Sequence, residues 1–217
     1  MFKEIELNGR TIKYRKWKVK DKKALDNAES NIERRKIIVY GCLEDPNTAL
    51  DLEEYNYVLA LIRDYSLHNT LDYDLECPDC HHKFTVGKTS GQIVKPIFAK
   101  YGTIEFKNQT ITVGNVKNRD IYEETINKTL TSMERYISDF ALHIQTINGS
   151  DVSSIDEVID FLDNLDVDDY ENVFSQWDNM RFKCDVIHPV TCPNCNKVNL
   201  FDFSDMPTFF PVSWEIK

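Results

Sequence analysis

Two short cysteine motifs constrain this chain more than any other feature. Cys77-Pro78-Asp79-Cys80 and Cys192-Pro193-Asn194-Cys195 each hold two thiols with two residues between them, one of which is proline. Two such turns facing each other supply the four thiolates that tetrahedral zinc prefers. The spacing therefore predicts one Zn²⁺ site formed by Cys77, Cys80, Cys192 and Cys195. Because four thiolates fill the coordination sphere, we expect a structural metal rather than a catalytic one.

Two alternatives remain open for these cysteines: a redox dithiol, which needs no second motif, and four unrelated thiols. Six cysteines, four of them in metal-like spacing, fit a reducing compartment better than a disulfide framework. Residues 81–191 separate the two motifs, so a shared metal would join the middle of the chain to its end and take part in folding. His81 and Asn196 follow the motifs, and both residue types tolerate a positive φ.

The composition limits the classes of function. The 217 residues carry a formal net charge of −10, which opposes non-specific binding to nucleic acid. No apolar run of about 18 residues or charged-then-apolar leader is present, so we expect neither a membrane span nor a signal peptide. Residues 1–23 hold nine Lys or Arg and three acids, whereas residues 150–180 hold ten Asp or Glu and no Lys or Arg. These segments are either two solvated faces or two partner surfaces of opposite sign.

Residues 1–70 are predicted to form a hairpin followed by helices. Alternating apolar residues flank Asn8-Gly9, a strong signal for a two-residue hairpin turn. Asp21 is a candidate cap for a first helix, and a second is predicted over residues 32–42. Asp51 is expected to cap an amphipathic helix that ends near Ser66.

Short β segments surround both cysteine motifs. Residues 73–75 and 84–86 flank the first motif, and three further β segments are predicted over residues 93–98, 103–106 and 111–113. Alternation from Phe182 to Val190 predicts a strand that leads to the second motif, with Cys184 and His188 packed on one face. His81 and His82 are spare ligands by type. Residues 71–118 and 182–217 are thus predicted to form a zinc-ribbon-like antiparallel β module.

Residues 119–181 are predicted to form an acidic helical insertion. A heptad-like seam suggests one helix over residues 119–147, lined by Tyr122, Ile126, Leu130, Met133, Ile137, Phe140, Ile144 and Ile147. Asn148-Gly149 is interpreted as its stop, Ser154 as the cap of the next helix, and Asp168 or Asp169 as the start of another. The seam either packs on these later helices or pairs with another chain. The predicted fold class is α+β.

Motifs for enzyme chemistry are absent from the sequence. It contains no phosphate-binding glycine loop, no nucleophile elbow and no His-Glu-x-x-His helix. We therefore expect a protein that is not an enzyme. The chain ends in an aromatic segment around Phe209, Phe210 and Trp214, which is either packed on the sheet or presented to a partner.

Several segments resemble a known family. The run from Ile12 to Lys20, the run from Ile37 to Cys42, the helix from Leu52 to Ser66, the first cysteine turn and the aromatic end are similar in type and order to T-even-type bacteriophage baseplate hub assembly proteins. The resemblance covers roughly residues 10–115 and 182–214. It implies a tail assembly role in the host cytoplasm, as a chaperone for the tape measure protein or hub components.

The resemblance and the seam together suggest a partner-binding surface. Its candidate residues are Met133, Ile137, Phe140, Phe209, Phe210 and Trp214. An apolar groove of this kind would cover the apolar stripe of a helical tail protein during assembly. The alternatives are a structural hub subunit retained in the virion baseplate and a zinc-ribbon nucleic-acid-binding protein.

Overall fold

The computed structural model describes residues 1–29, 31–67, 70–126 and 131–203. The chain begins with the predicted hairpin, formed by β1 (Phe2–Leu7) and β2 (Arg10–Arg15). Asn8 and Gly9 in its turn have φ values of 49° and 75°, the left-handed conformation that a two-residue hairpin turn requires. The hairpin prediction is confirmed.

Helices follow the hairpin: α1 (Val19–Asp26), α2 (Asn31–Ile38), a 3₁₀ turn (Tyr40–Cys42) and α3 (Leu52–Leu67). The cap predicted for α3 is confirmed, because Asp51 Oδ1 accepts the Glu54 N–H at 2.7 Å and Glu54 Oε2 accepts the Asp51 N–H at 3.1 Å. Asp21 differs from the expectation, since it lies inside the first turn of α1. From there it accepts the Lys18 N–H at 2.7 Å.

The first hydrophobic core lies between the N-terminal hairpin and α3. Its fully buried members include Leu7, Tyr40, Val58, Ile62 and Phe182. Phe182 comes from the far end of the chain, directly before the last three strands. The N-terminal helices and the C-terminal strands therefore share one packed interior.

Each cysteine motif forms the turn of a two-stranded hairpin. The first cysteine hairpin consists of β3 (Leu71–Glu76) and β4 (Lys83–Lys88), and the second of β11 (Ile187–Thr191) and β12 (Val198–Asp202). The first hairpin is followed in the chain by α4 (Ser90–Ile93) and β5 (Lys95–Ile97). The second hairpin is preceded by β10 (Lys183–Asp185).

Two predicted strands are shorter in the structure. The segment at 93–98 keeps its strand only over β5, because Ile93 ends α4. The strand predicted from Phe182 to Val190 is divided at Val186, where β10 pairs with β5 and β11 pairs with β12. Alternation along the sequence cannot show that the two halves have different neighbours.

A four-stranded antiparallel sheet lies within residues 103–151. Its order is β6 (Thr103–Phe106), β7 (Gln109–Val113), β8 (Ile144–Ile147) and β9 (Ser150–Asp151). β6 and β7 were predicted to belong with the cysteine hairpins. In the structure β7 pairs with β8, which joins both strands to the helical segment.

The single long helix predicted over residues 119–147 is wrong. The structure has α5 (Arg119–Ile126) and α6 (Ser132–His143), and the Thr131 hydroxyl caps α6 by accepting the Glu134 N–H at 3.2 Å. Ile144–Ile147 is a strand. Asn148 and Gly149, with φ values of 50° and 79°, form a hairpin turn to β9 rather than a helix stop.

The two helices predicted here are present as α7 (Ile155–Asp163) and α8 (Val167–Met180). The start of α8 differs from the prediction, because Asp166 is its N-cap and Asp168 and Asp169 lie inside its first turn. Ser154 caps α7 by accepting the Glu157 N–H at 3.2 Å, as expected. With α6 and the four-stranded sheet they form a second core that contains Ile104, Ile111, Phe140, Leu162 and Trp177.

The mixture of helices and small antiparallel sheets makes the fold α+β, as predicted from the sequence. No helix among the described residues is both long and apolar enough to cross a membrane.

Candidate metal centre

The two cysteine turns have the same backbone geometry. In the first, the Cys77 N–H donates to the His82 carbonyl at 3.0 Å and the His81 N–H donates to the Cys77 carbonyl at 2.9 Å. In the second, Cys192 and Asn196 make the equivalent bonds at 2.9 and 3.0 Å. His81 and Asn196 have φ values of 56° and 59°, which confirms the predicted positive φ.

The turns bring the four sulfurs of Cys77, Cys80, Cys192 and Cys195 within 4.8 Å of one another. Each contact at 3.7 Å joins different hairpins, Cys77 Sγ to Cys195 Sγ and Cys80 Sγ to Cys192 Sγ. Sulfurs bound to zinc at about 2.3 Å in a tetrahedron lie about 3.8 Å apart. The donor set therefore fits a tetrahedral metal ion, and four sulfurs leave no position for substrate.

Amide groups of the second hairpin support the sulfurs of the first. Asn194 Nδ2 donates to Cys80 Sγ at 3.6 Å, and Asn199 Nδ2 donates to Cys77 Sγ at 3.5 Å. An ion pair between Lys197 Nζ and Asp79 Oδ1 at 2.5 Å also crosses the two turns. These contacts were not predicted from the sequence, where the polar residues inside and just after the second motif were their only local signal.

The thiols differ in their affinity for protons. Hydrogen bonds from the Asn194 amide and the His82 N–H lower the pKa of Cys80 to about 6. The Lys197 N–H favours the Cys195 thiolate, but desolvation and the neighbouring sulfurs outweigh it and raise the pKa of Cys195 to about 12. A bound divalent cation would release the remaining protons.

Comparison with known families identifies the chain. Residues 1–211 match the family model described as T4 bacteriophage base plate protein. The chain belongs to this family. The match runs through residues 119–181, the segment that the sequence resemblance did not cover. Neither the curated proteins nor the solved structures contain a significant match. Family membership associates the chain with the phage baseplate and with the other proteins of the tail.

Among the residues that the structure describes, the other Cys and His side chains of this baseplate-family protein lie outside the four-sulfur cluster. His81 is largely exposed and contacts Glu76 at 3.2 Å, while the ring of His82 stacks on Phe84. Cys184 Sγ donates to the Glu53 carbonyl at 3.3 Å, and His188 is buried with Nε2 bonded to the Ile93 carbonyl. Cys184 and His188 thus take the strand-packing role that the alternation indicated.

The predicted partner-binding seam lies mainly in the second core. Phe140 is fully buried, with its ring centroid 4.9 Å from Trp177 and 5.8 Å from Phe174. Ile137 is half-buried against the same core. The Met133 side chain and residues Phe209, Phe210 and Trp214 lie outside the described residues. The seam was predicted as one helix because its apolar period continues across α5, α6 and β8, and Ile137, Phe140, Ile144 and Ile147 all pack in the second core.

Proposed function

We propose that this baseplate-family protein acts in assembly of the baseplate hub, as a non-enzymatic chaperone that binds the tape measure protein or hub components. The proposal that the protein is not an enzyme is supported by the cluster of four thiols, which would fill the coordination sphere of a bound metal. A catalytic zinc keeps one coordination position for water or substrate, whereas four protein sulfurs occupy all four positions. Such a centre supplies structure.

We also propose that the metal is zinc and that the two cysteine hairpins form a zinc-ribbon-like module. Four soft thiolates at tetrahedral spacing suit Zn²⁺ among the common divalent metals. Cys77 and Cys195 are 118 positions apart in the chain. A metal between them closes a loop of high entropic cost, so zinc binding contributes directly to the folding free energy.

The surface charge supports a protein partner rather than nucleic acid. The net charge is −10, and Asp156, Asp160, Asp163 and Glu171 are exposed on α7 and α8. Within the described residues, the ion pairs of the acidic segment go to Lys107, Arg181 and Lys183, not to the basic N-terminal segment. These carboxylates repel phosphate backbones and keep an assembly complex soluble.

Two measurements separate the chaperone from its alternatives. The tagged protein is co-expressed with the tape measure protein and hub subunits, and the captured proteins are identified by mass spectrometry. We expect capture of a tail protein together with absence of this chain from finished particles. Stable presence in purified particles contradicts the chaperone role and assigns a structural subunit. Salt-dependent retention on DNA, without capture of a tail protein, assigns the nucleic-acid-binding alternative.

A further inference from the structure

The two cysteine hairpins can be compared position by position. Counted from the cysteines, the cross-strand pair Asp74–Thr85 of the first hairpin corresponds to Pro189–Leu200 of the second. Both pairs lie three residues before the first cysteine and five after the second. The hairpins therefore provide an internal control for each other.

The outer faces of the hairpins differ in polarity. On the first hairpin the exposed residues are Asp72, Asp74, Glu76, Lys83 and Thr85. On the second, Ile187 is 48% exposed, Val198 63% and Leu200 72%, and exposed Pro189 lies between them. The positions equivalent to the exposed apolar residues of the second hairpin are thus charged or polar on the first: Asp72, Asp74, Lys83 and Thr85. Contiguous exposed apolar residues mark contact surfaces.

Hydrogen bonds show which backbone groups of the second hairpin point outward. The Phe203 N–H donates to the Val186 carbonyl at 3.0 Å, and the Cys192 N–H donates to the Lys197 carbonyl at 2.9 Å. Opposite residues in an antiparallel pair alternate between exchanging two hydrogen bonds and exchanging none. By this alternation, no hydrogen bonds are exchanged within the pairs Pro189–Leu200 and Thr191–Val198. The backbone groups of these residues therefore face the outside of the hairpin.

The two outer edges of the hairpin are not equivalent. On β11, Pro189 has no N–H and the Ile187 N–H is held by Asp185 Oδ1 at 2.9 Å. On β12, Val198 and Leu200 present N–H and C=O groups outward, and β11 is the one strand that pairs with β12 among the described residues. An edge strand with outward backbone groups is a template for another strand.

We propose that β12 pairs antiparallel with β12 of a second copy of this chain. A strand paired antiparallel with itself is self-complementary, so the exposed Val198 and Leu200 side chains of the two copies meet. Lys197, which also pairs with Asp79 of its own chain, precedes β12, and Asp202 ends it, so the antiparallel arrangement brings ends of opposite charge together. Because the β11 edge is largely closed, pairing stops at two copies and produces a dimer instead of a fibre.

Replacement of Leu200 by proline tests the pairing. The Leu200 N–H takes no part in the β11–β12 ladder, so Leu200→Pro closes the β12 edge while leaving the hairpin bonds in place. Molar mass is measured by light scattering over a concentration series, with metal content as the test of folding. We expect twice the mass of one chain for the unmodified protein and the mass of one chain for Leu200→Pro.

Thr85→Pro is the matched control, because it makes the same change at the equivalent position of the first hairpin and costs one exposed hydrogen bond to Asp74. It should remain a dimer. If Leu200→Pro loses its metal and is therefore misfolded, Val198→Lys is used as the edge variant instead. We expect Val198→Lys to raise the dissociation constant of the dimer at least about tenfold. A monomeric unmodified protein at all concentrations, or a folded edge variant that dimerises normally, overturns the proposal.

Discussion

The side-chain amide of Asn194 donates a hydrogen bond to Cys80 Sγ across the two cysteine hairpins, at 3.6 Å. Bonds of this kind orient a metal ligand and favour its thiolate. We expect Asn194→Ala to weaken metal binding by about 10–100-fold, measured by competition with a chromogenic chelator. Asn179→Ala, an exposed change on α8, is the control and should leave the affinity unchanged. Equal affinities for all three proteins would show that this bond does not support the site.

Metal content tests the four-sulfur site directly. The purified protein should contain about one zinc per chain by elemental analysis. Replacing both Cys192 and Cys195 by serine should remove the metal and lower the thermal midpoint, because the long-range link between the hairpins is lost. Cys184→Ser should retain the zinc, since serine can keep the hydrogen bond to the Glu53 carbonyl. Unchanged zinc content in the double variant contradicts the shared site.

The burial of Phe140 predicts a stability effect rather than a binding effect. Phe140→Ala should lower the free energy of unfolding by about 3–5 kcal/mol, because it leaves a cavity beside Trp177. Tyr136→Ala on the same helix removes a ring that is 49% exposed and should cost about 1 kcal/mol or less. Urea unfolding measures both values. Similar small losses for the two variants would place Phe140 at the surface.

Substitution at Thr146 distinguishes a strand from a continued helix. In β8, Thr146 lies opposite Thr112 and Asp151, so Thr146→Ala should lower the free energy of unfolding by about 0.5–1 kcal/mol. A helix would be stabilised by the same change, because alanine has the highest helix propensity. Ser175→Ala, at an exposed position of α8, is the helical control and should stabilise. Stabilisation by both changes contradicts the strand.

The ion pair between Arg15 and Asp21 predicts a dependence on pH. Burial alone would raise the pKa of Asp21, but hydrogen bonds from the Arg15 guanidinium at 2.6 and 2.8 Å, and from the Lys18 N–H, outweigh it and lower the pKa. Because the folded pKa is the lower one, this stabilisation is complete above about pH 4 and is lost as the pH falls through the folded value.

We expect Asp21→Asn to lower the free energy of unfolding by about 1.5–3 kcal/mol at pH 7 and to reduce its decline in acid. Urea titrations at several pH values measure both effects. Asp26→Asn, an exposed change on the same helix, should have little effect at pH 7. An unchanged acid profile for Asp21→Asn would mean that other carboxylates control the acid unfolding.

Local signals in the sequence were sufficient where one short segment fixes its own conformation. Asn8-Gly9 specified a hairpin turn, Asp51 and Ser154 specified helix starts, and the residues after each cysteine motif specified a positive φ. The same Asn-Gly signal was present at Asn148-Gly149, but the apolar period before it favoured a helix. Read as a hairpin turn, Asn148-Gly149 predicts the two strands that flank it, β8 and β9.

The sequence by itself determined which four cysteines come together, the α+β class and most element positions, because these depend on spacing and local propensity. Tertiary structure alone decided that Ile144–Ile147 pairs with β7 and that Phe140 is buried against α8. It also decided that Asn194 and Asn199 face sulfurs of the other hairpin. These contacts join residues far apart in the chain, and an apolar period records that a side chain is buried but not which neighbour buries it.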